Sequence, residues 1–535
     1  MNVIRLTLKL VFAAAALAVL APSASSAPAP KLGADVANVR KGIDQAVARG
    51  YLDPEGAVTY RASLTRAYSI WGKLTGQRAR ELEGVIRDVA APWRTYNRPR
   101  ALALFSMLEF NADHFASHGP VASGRDVQDE EGVVYRAFPN HGLQFHPLAN
   151  FAKLNSYLGA NRLDEAGYLG LALIARGVPK GDALSWEYSF PFGSGRAPWT
   201  SGMAQSVAAQ AFARGQAKLG DPAFAAAAEK AFRAIPGKLV RSVPEGLFIR
   251  LYSFSDLAVL NAQLQSVVSL EDYALALEDP AGQELAGRLR ATAAALLPKF
   301  DTGAWTLYAL GANESTLDYQ RYVVSLLKRI GARDKDAFWT NYGNKFASYE
   351  DVPPALTPGP AGPAVYPRPL DGFRDYAEVR FTLSKISRVT VQVGSARRTL
   401  LVGRGQKSLD IYPGKVAAGT YAVKVLATDL AGNKAELDLP DATVKVDTSP
   451  PVMTARLVGK RLVWRGRDAE TPWLDLRLQL VNDYHQGRVV SLGKKPLRGS
   501  MRLVPKPGVW HTTLIARDST GNRTDVPIGV LRAAK

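Results

Sequence analysis

The sequence predicts a multidomain chain: an all-α unit, built as an α/α toroid or incomplete α/α barrel, followed by two all-β sandwich modules. Three observations predict it. From about Leu32 to Tyr349 apolar residues recur at i, i+3, i+4 and i+7, the period of amphipathic helices. The stretch Pro353-Pro354-Ala-Leu-Thr-Pro358-Gly-Pro360-Ala-Gly-Pro363 then closes that pattern, since so many prolines fit neither a helix nor a central strand, and the period after it is two. Finally, a motif in the tail recurs at a constant offset of 89 residues, which marks two copies of one module.

Ahead of the helices, Arg5 and Lys9 precede an apolar run from Leu10 to Leu20 and the small-residue stretch ending at Ala27. This is the order of a secretory signal peptide, so residues 1–27 are expected to be removed and the protein to be secreted or held at the cell surface. An uncleaved anchor is the alternative, but the run is Ala-rich and shorter than the roughly 20 apolar residues a spanning helix needs. No later segment is long and apolar enough to span, so no integral membrane segment is expected after cleavage. With no cysteine in 535 residues, disulfides, thiolate metal sites and a lipid anchor on a cysteine are excluded.

Within residues 32–350, helices are expected at Ala62–Thr75, Ala101–His118, Leu148–Leu158, Ser201–Lys218, Pro222–Ala234, Leu257–Glu278 and Gln283–Lys299. Leu219-Gly220-Asp221-Pro222 stops one helix with glycine and starts the next with an Asp N-cap and Pro at N1, and Glu278-Asp279-Pro280 repeats the device. Helical hairpins in such number suggest the toroid. Between them lie aromatic, Gly- and Pro-bearing stretches without helical period: Val133–Phe145, Leu184–Trp199, Leu247–Phe254 and Ala304–Tyr319. Interhelical loops at one end of such a fold build a cleft, so chemistry is expected there.

Residues 351–370 read as a semi-rigid linker, 371–447 as the first sandwich and 450–532 as the second. Alternation in Arg388–Val393 and Tyr421–Ala427 marks strands with one buried face. Ala418-Gly-Thr-Tyr421 through Asp429-Leu-Ala-Gly432-Asn433 recurs as Pro507-Gly-Val-Trp510 through Asp518-Ser-Thr-Gly521-Asn522, and each Asp-x-x-Gly-Asn is expected to make a tight hairpin turn. Both modules resemble the immunoglobulin-like or fibronectin-type repeats that accompany secreted carbohydrate enzymes.

The net charge of +19 is unevenly placed: residues 371–535 hold 28 Lys+Arg against 15 Asp+Glu, and the preceding 370 hold 39 against 33. The base sits on the tail modules. For an exported protein this points away from nucleic acid and towards an acidic polysaccharide or a cell-envelope glycan; a merely cationic, soluble surface is the alternative.

Phosphate-binding loops, His-Glu-x-x-His, Gly-x-Ser-x-Gly and paired-glycine dinucleotide motifs are absent. His114 and His118 stand one helical turn apart but lack an evident third ligand, so a surface face is favoured over a metal site, and no metal or other cofactor is expected. What stands out is a density of aromatics and amides in the loops. The run Trp199-Thr-Ser-Gly-Met-Ala-Gln205, then Val259-Leu260-Asn261 with its helix on to Leu270-Glu-Asp-Tyr273, then Phe300-Asp-Thr-Gly303 followed by Tyr308 and Asp318-Tyr319, resembles the C-terminal catalytic domain of D-glucuronyl C5-epimerases over about residues 185–330.

That resemblance implies inversion of C5 of glucuronic acid within a polysaccharide, with catalytic tyrosines at Tyr252, Tyr308 and Tyr319. A proton α to a carboxylate is weakly acidic, so a base is needed on one ring face, an acid on the other, and charge stabilisation at the carboxylate. Tyrosines with cation-lowered pKa values suit the task. Arg250 and Arg321 are expected to hold the uronate carboxylate and Trp199 to stack on a sugar ring. Gln205 and Asn261 are expected to bind hydroxyls, and Tyr188 and His146 to complete the substrate-binding set.

The family pattern has glutamates where this chain has Arg250-Leu251, and histidine where it has Gln320. Glu187 and Glu245 are the candidate replacements for a glutamate proton carrier, with a solvent-facing strand as the alternative for Glu187. Two other functions stay open: a polysaccharide lyase, because the same carbanion can expel the C4 oxygen, and a non-catalytic cell-wall or glycan-binding protein. For each tyrosine, a hydrogen-bonded core or rim position is the structural alternative.

Overall fold

The computed structural model describes residues 32–533 apart from 369, 371–373, 415, 469, 484–485 and 505–506; the expected signal peptide lies outside the described residues. The chain divides into two compact units between Tyr349 and Glu350.

The first unit is an α/α toroid. Its helices are α1 (Leu32–Ala48), α2 (Pro54–Trp71), α3 (Gly76–Ala90), α4 (Arg98–Ser117), α5 (Pro147–Gly159), α6 (Leu163–Ala175), α7 (Gly202–Leu219), α8 (Pro222–Arg233), α9 (Leu260–Leu277), α10 (Pro280–Phe300), α11 (Leu317–Asp334) and α12 (Ala337–Ser348). Helices α5, α7, α9 and α11 pack side by side, each against the next, and α6, α8, α10 and α12 each cover the helix that precedes them. In the first two hairpins α1 packs on α3 and α2 on α4. The punctuation read from the sequence is used as written. Gly220 is left-handed at φ 71°, Asp221 accepts from Ala223 N at 2.8 Å, and Asp279 caps α10 through Ala281 N at 2.9 Å.

In α7 and α9, thirteen of eighteen residues are buried, so their polar side chains must find partners inside the protein. They do so in a repeating way. Gln205, Gln263 and Gln320 are each the fourth residue of an inner helix. Gln205 Nε2 donates to Leu184 O and Ala231 O (2.6 and 3.0 Å), Gln263 Nε2 to Leu247 O and Leu289 O (3.1 and 2.7 Å), and Gln320 Nε2 to Phe346 O (2.7 Å). One amide per hairpin thus docks the outer helix on the inner one. Further along the helices a second network joins them in sequence. Gln210 Oε1 accepts from Asn155 Nδ2 and Ser269 Oγ, both at 3.2 Å, Gln210 Nε2 donates to Asp272, and Asp272 also receives Arg329 at 2.7 Å and Arg333.

Short strands fill three interhelical connections: β1 (Asp126–Gln128), β2 (Val134–Phe138) and β3 (Gly142–Phe145) form an antiparallel sheet, while β4 (Val178–Lys180) pairs with β5 (Ala183–Ser185) and β6 (Val240–Val243) with β7 (Gly246–Ile249).

The second unit holds two sandwiches. The first contains β8 (Leu356–Pro358), β9 (Ala377–Leu383), β10 (Ser387–Val393), β11 (Ala396–Val402), β12 (Gly405–Ile411), β13 (Gly419–Asp429) and β14 (Lys434–Val444), in sheets β12-β9-β8 and β11-β10-β13-β14. The second contains β15 (Val452–Val458), β16 (Arg461–Arg467), β17 (Trp473–Val481), β18 (Gly487–Pro496), β19 (Arg498–Arg502), β20 (Gly508–Arg517) and β21 (Arg523–Ala533), in sheets β15-β16-β19 and β18-β17-β20-β21. Strand for strand the connectivity is the same, as the internal repeat requires. Alternate residues face each core: Val379, Phe381, Val389, Val391 and Val425 in the first, Leu462, Leu474, Leu476 and Leu514 in the second. The stretch expected to be only a linker differs in part. Leu356–Pro358 is an edge strand paired with Phe381–Leu383, a place where proline is tolerated because one strand edge needs no partner.

Candidate active site

The inner helices α7, α9 and α11 receive their N-terminal ends from three successive loops, and each loop is tied to a helix start. After β7, Ser253 N donates to Thr200 O at 2.8 Å, which fixes the loop bearing Tyr252 beside the start of α7. The carbonyl of Tyr308 accepts from Leu260 N at 3.2 Å, beside the first turn of α9. Thr316 caps α11 by accepting from Tyr319 N at 3.5 Å, which places Tyr319 in that helix's first turn.

These ties bring Tyr252, Tyr308 and Tyr319 together. The rings of Tyr308 and Tyr319 lie 5.1 Å apart, their hydroxyls interact, and the charge of an ionised Tyr319 acts on both Tyr252 and Tyr308. Around them stands an aromatic wall. Trp199 stacks on Tyr188 at 4.1 Å and 4°, and meets Tyr252 and Phe254 edge-on at 5.2 and 5.4 Å. His146 packs edge-on against Tyr188 at 5.3 Å and stacks with Phe138 at 6.1 Å.

Burial raises all three tyrosines above the ordinary phenol value, which corrects the expectation that nearby cations lower them. They are not raised alike. At Tyr319 burial is opposed by the charge of Arg136 and by the contact with Tyr308, which favours the proton staying on Tyr308. A position in the first turn of α11 adds the positive end of a helix dipole. Tyr252 has no such relief; burial and the charges of Tyr319 and Tyr188 all hold its proton on. Environments that separate the acidities of neighbouring groups assign base and acid roles.

Arg136 is the residue that sequence reasoning missed. It lies on β2, is buried, and is held by Asp126 through two bonds of 2.6 and 2.8 Å. Its charge acts on Tyr319, Tyr188 and His146. The signal was available: an arginine in the middle of the apolar strand Val134-Tyr-Arg-Ala-Phe138 must be paired or functional.

The remaining expected residues divide. Asn261 sits buried in the first turn of α9, next to the Tyr308 loop. His146 is held neutral by burial and by Arg136, with Nδ1 accepting from Ala149 N at 3.1 Å. Tyr188 is buried at the back of Trp199. Trp199 is not an open platform: it is 5% exposed, one face is taken by Tyr188, and its indole N–H is spent on Phe190 O at 2.7 Å. Gln205 is buried and gives its amide hydrogens to Leu184 O and Ala231 O, so its amide docks α8. Gln320, where the family has histidine, plays the same structural part in α11 and also receives Thr306 Oγ1. Arg250 pairs with Asp256 rather than with a free anion, and Arg321 is exposed on α11.

Both candidate glutamates are held by cations. Glu187 is buried rather than solvent-facing. Burial pushes its carboxyl up, but Arg100 (2.8 and 3.1 Å) and Lys180 (3.0 Å) outweigh it and leave it below the ordinary carboxylate range, an ionised structural group. Glu245, on the β6–β7 turn, is paired with Lys299 of α10 at 2.5 Å. His114 and His118 stack on each other at 5.1 Å at the exposed end of α4, and among the described residues no third acidic or imidazole group joins them.

Beside the aromatic wall, His141 Nδ1 meets Asp88 Oδ2 at 2.9 Å, and the His141 ring packs 5.6 Å from Phe190. Burial raises Asp88 from 3.8 to about 6, against the pull of His141 and Gln144. Because the folded pKa is the higher one, the stability this group contributes is present below pH 3.8 and is lost as pH rises to about 6. The stability of the native chain relative to Asp88→Asn is therefore expected to fall between pH 4 and 6 by up to about 3 kcal/mol, measured by urea unfolding. A constant difference across that range would show that Asp88 does not titrate there.

Residues 180–348 match the model of the family described as D-glucuronyl C5-epimerase C-terminus. The similarity to that family covers about a third of the chain. It spans α7 to α12 and all three tyrosines, and leaves Arg136 and both β modules outside. No curated protein matches the chain. Among solved structures, cellobiose 2-epimerase from Bacillus thermoamylovorans B4167 is similar at 10% identity over 60% of this chain and 87% of that one, with a TM-score of 0.34. Cellobiose 2-epimerase from Spirochaeta thermophila is similar at 13% identity over 51% and 72%, with a TM-score of 0.32. The fibronectin(III)-like modules of Clostridium thermocellum CbhA are similar at 15% identity over 34% and 95%, with a TM-score of 0.16.

Proposed function

We propose that the epimerase-like domain inverts C5 of uronic acid residues, glucuronic acid first among them, in an acidic extracellular polysaccharide. Tyr319, as phenolate, takes the C5 proton. The electron pair left behind spreads onto the substrate carboxylate, beside which the Arg136 charge stands. Tyr252 returns its hydroxyl proton to the opposite face, and the negative charge thereby passes from Tyr319 to Tyr252. The convergence of three tyrosines with unequal acidity carries this reading. Export fits the signal-like residues 1–27, and the basic tail would draw a polyanion towards the chain.

The test is incubation of the chain with glucuronan- and heparosan-type polymers in heavy water. Deuterium at C5 without chain cleavage is the expected result. An unsaturated, ultraviolet-absorbing product would replace epimerisation by β-elimination, and no exchange with any uronate polymer would leave glycan binding without catalysis. Because Tyr319 is raised above the phenol range, its reactive phenolate is a small fraction at neutral pH. The exchange rate is expected to rise about tenfold per pH unit from roughly pH 6 to 9, since that fraction grows tenfold per unit below the pKa. A rate independent of pH over that span would remove the phenolate from the mechanism.

A further inference from the structure

Three carboxylates in the second β module take no part in this chemistry. Asp447 lies in the segment joining the modules, Asp468 follows β16 and Asp518 follows β20, and the three offer oxygens that all lie within 4.8 Å of one another. Asp447 and Asp518 are 7% and 3% exposed. Among the described residues no lysine or arginine pairs with them.

The first module shows what this position demands. Its turn aspartate, Asp429, is the repeat equivalent of Asp518, and the two are held alike: Asn433 N donates to Asp429 Oδ1 at 2.9 Å and Asn522 N to Asp518 Oδ1 at 2.8 Å. The asparagine amides reach back to the entry of each module, Asn433 to Glu350 O at 2.6 Å and Asn522 to Asp447 O at 3.3 Å. In the first module the space between turn and entry holds a cation. Lys385 Nζ, on a 1% exposed side chain, lies 2.6 Å from Asp429 Oδ2 and also donates to Val352 O. In the second module no lysine stands there, and two further carboxylates do.

An independent sign comes from Asp447. Its Oδ1 accepts from Ser449 N at 2.9 Å, but its Oδ2 is enclosed without any hydrogen-bond donor. Such an orphaned anionic oxygen is costly unless a cation meets it. Burial and the neighbouring negative charges hold the carboxyls of Asp447 and Asp468 above their ordinary range.

We propose that Asp447, Asp468 and Asp518 bind a calcium ion, which takes in the second module the place that the Lys385 ammonium takes in the first. The donors are all hard oxygens, and a spread of 4.8 Å is twice a calcium–oxygen distance of about 2.4 Å. Since Asp447 belongs to the joining segment, the ion ties that segment to the module it enters.

Isothermal titration of the metal-stripped full chain with CaCl2 should give one site per chain, with MgCl2 binding at least tenfold more weakly, and calcium should raise the unfolding temperature of the β unit. Asp447→Asn and Asp468→Asn should each weaken calcium binding at least tenfold while far-UV circular dichroism shows the fold intact. Asp468 serves as the safer variant, because its removal leaves the buried turn untouched. Neither heat nor thermal shift at ~10 mM CaCl2, well above the range of weak extracellular sites, would overturn the proposal, as would undiminished binding by both variants. Equal binding of magnesium would overturn the assignment to calcium.

Discussion

Tyr319→Phe is expected to slow C5 exchange by a factor of about 10²–10⁴ and to leave the fold intact, because it removes the hydroxyl of the proposed base and, with it, only that hydroxyl's contact with Tyr308. The ring stays to pack against Tyr308, and the backbone N–H that meets Thr316 is unaffected. The companion variants sharpen the reading. Tyr252→Phe should lower the rate comparably, since Tyr252 is the proposed source of the returning proton. Tyr308→Phe should lower it less, by the same factor at every pH from about 6 to 9 and with the slope unchanged, since it removes the hydroxyl contact that eases ionisation of Tyr319. Rates measured by mass spectrometry of the deuterated polymer decide the matter. An unchanged rate in Tyr319→Phe would remove that residue from the chemistry.

The largest expected loss of stability is at Asp272→Ala. This carboxylate gathers Gln210, Arg329 and Arg333 from α7 and α11 onto α9, and its side chain is 17% exposed. Its removal leaves the Gln210 amide and the half-exposed Arg329 guanidinium without this acceptor, while Arg333 keeps Glu271 at 3.0 Å, a change that costs about 1–3 kcal/mol. Tryptophan fluorescence during urea unfolding should show it, and a loss below about 1 kcal/mol would mean that water replaces the carboxylate at no great cost.

Helices, caps and the repeat were legible in the sequence because each rests on local chemistry. Gly220, Asp221 and Asp279 do their work within three residues of where they stand. The tyrosine loops were legible through the ordered family resemblance, which places residues in roles without placing them in space. Partnerships formed across the fold were not legible. Trp199 and Gln205 carry side chains suited to sugar, and only the structure shows that Tyr188 covers the one and that α8 consumes the other. Glu187 looked available because Arg100 is 87 residues away. Arg136 was overlooked for the opposite reason, its neighbours in sequence being apolar while its charge serves groups on other loops.

The recurring glutamine has a consequence for the spacing of the reactive hydroxyls. Gln205, Gln263 and Gln320 dock each outer helix on its inner partner at the same helical position, while the Tyr252 loop is fixed beside the start of α7 and Tyr319 sits in the first turn of α11. The gap between the proposed proton acceptor and proton donor is therefore set by how α7 and α11 stand relative to each other on either side of α9. Substitutions where the outer helices meet these amides are a means of widening or narrowing that gap without altering either tyrosine.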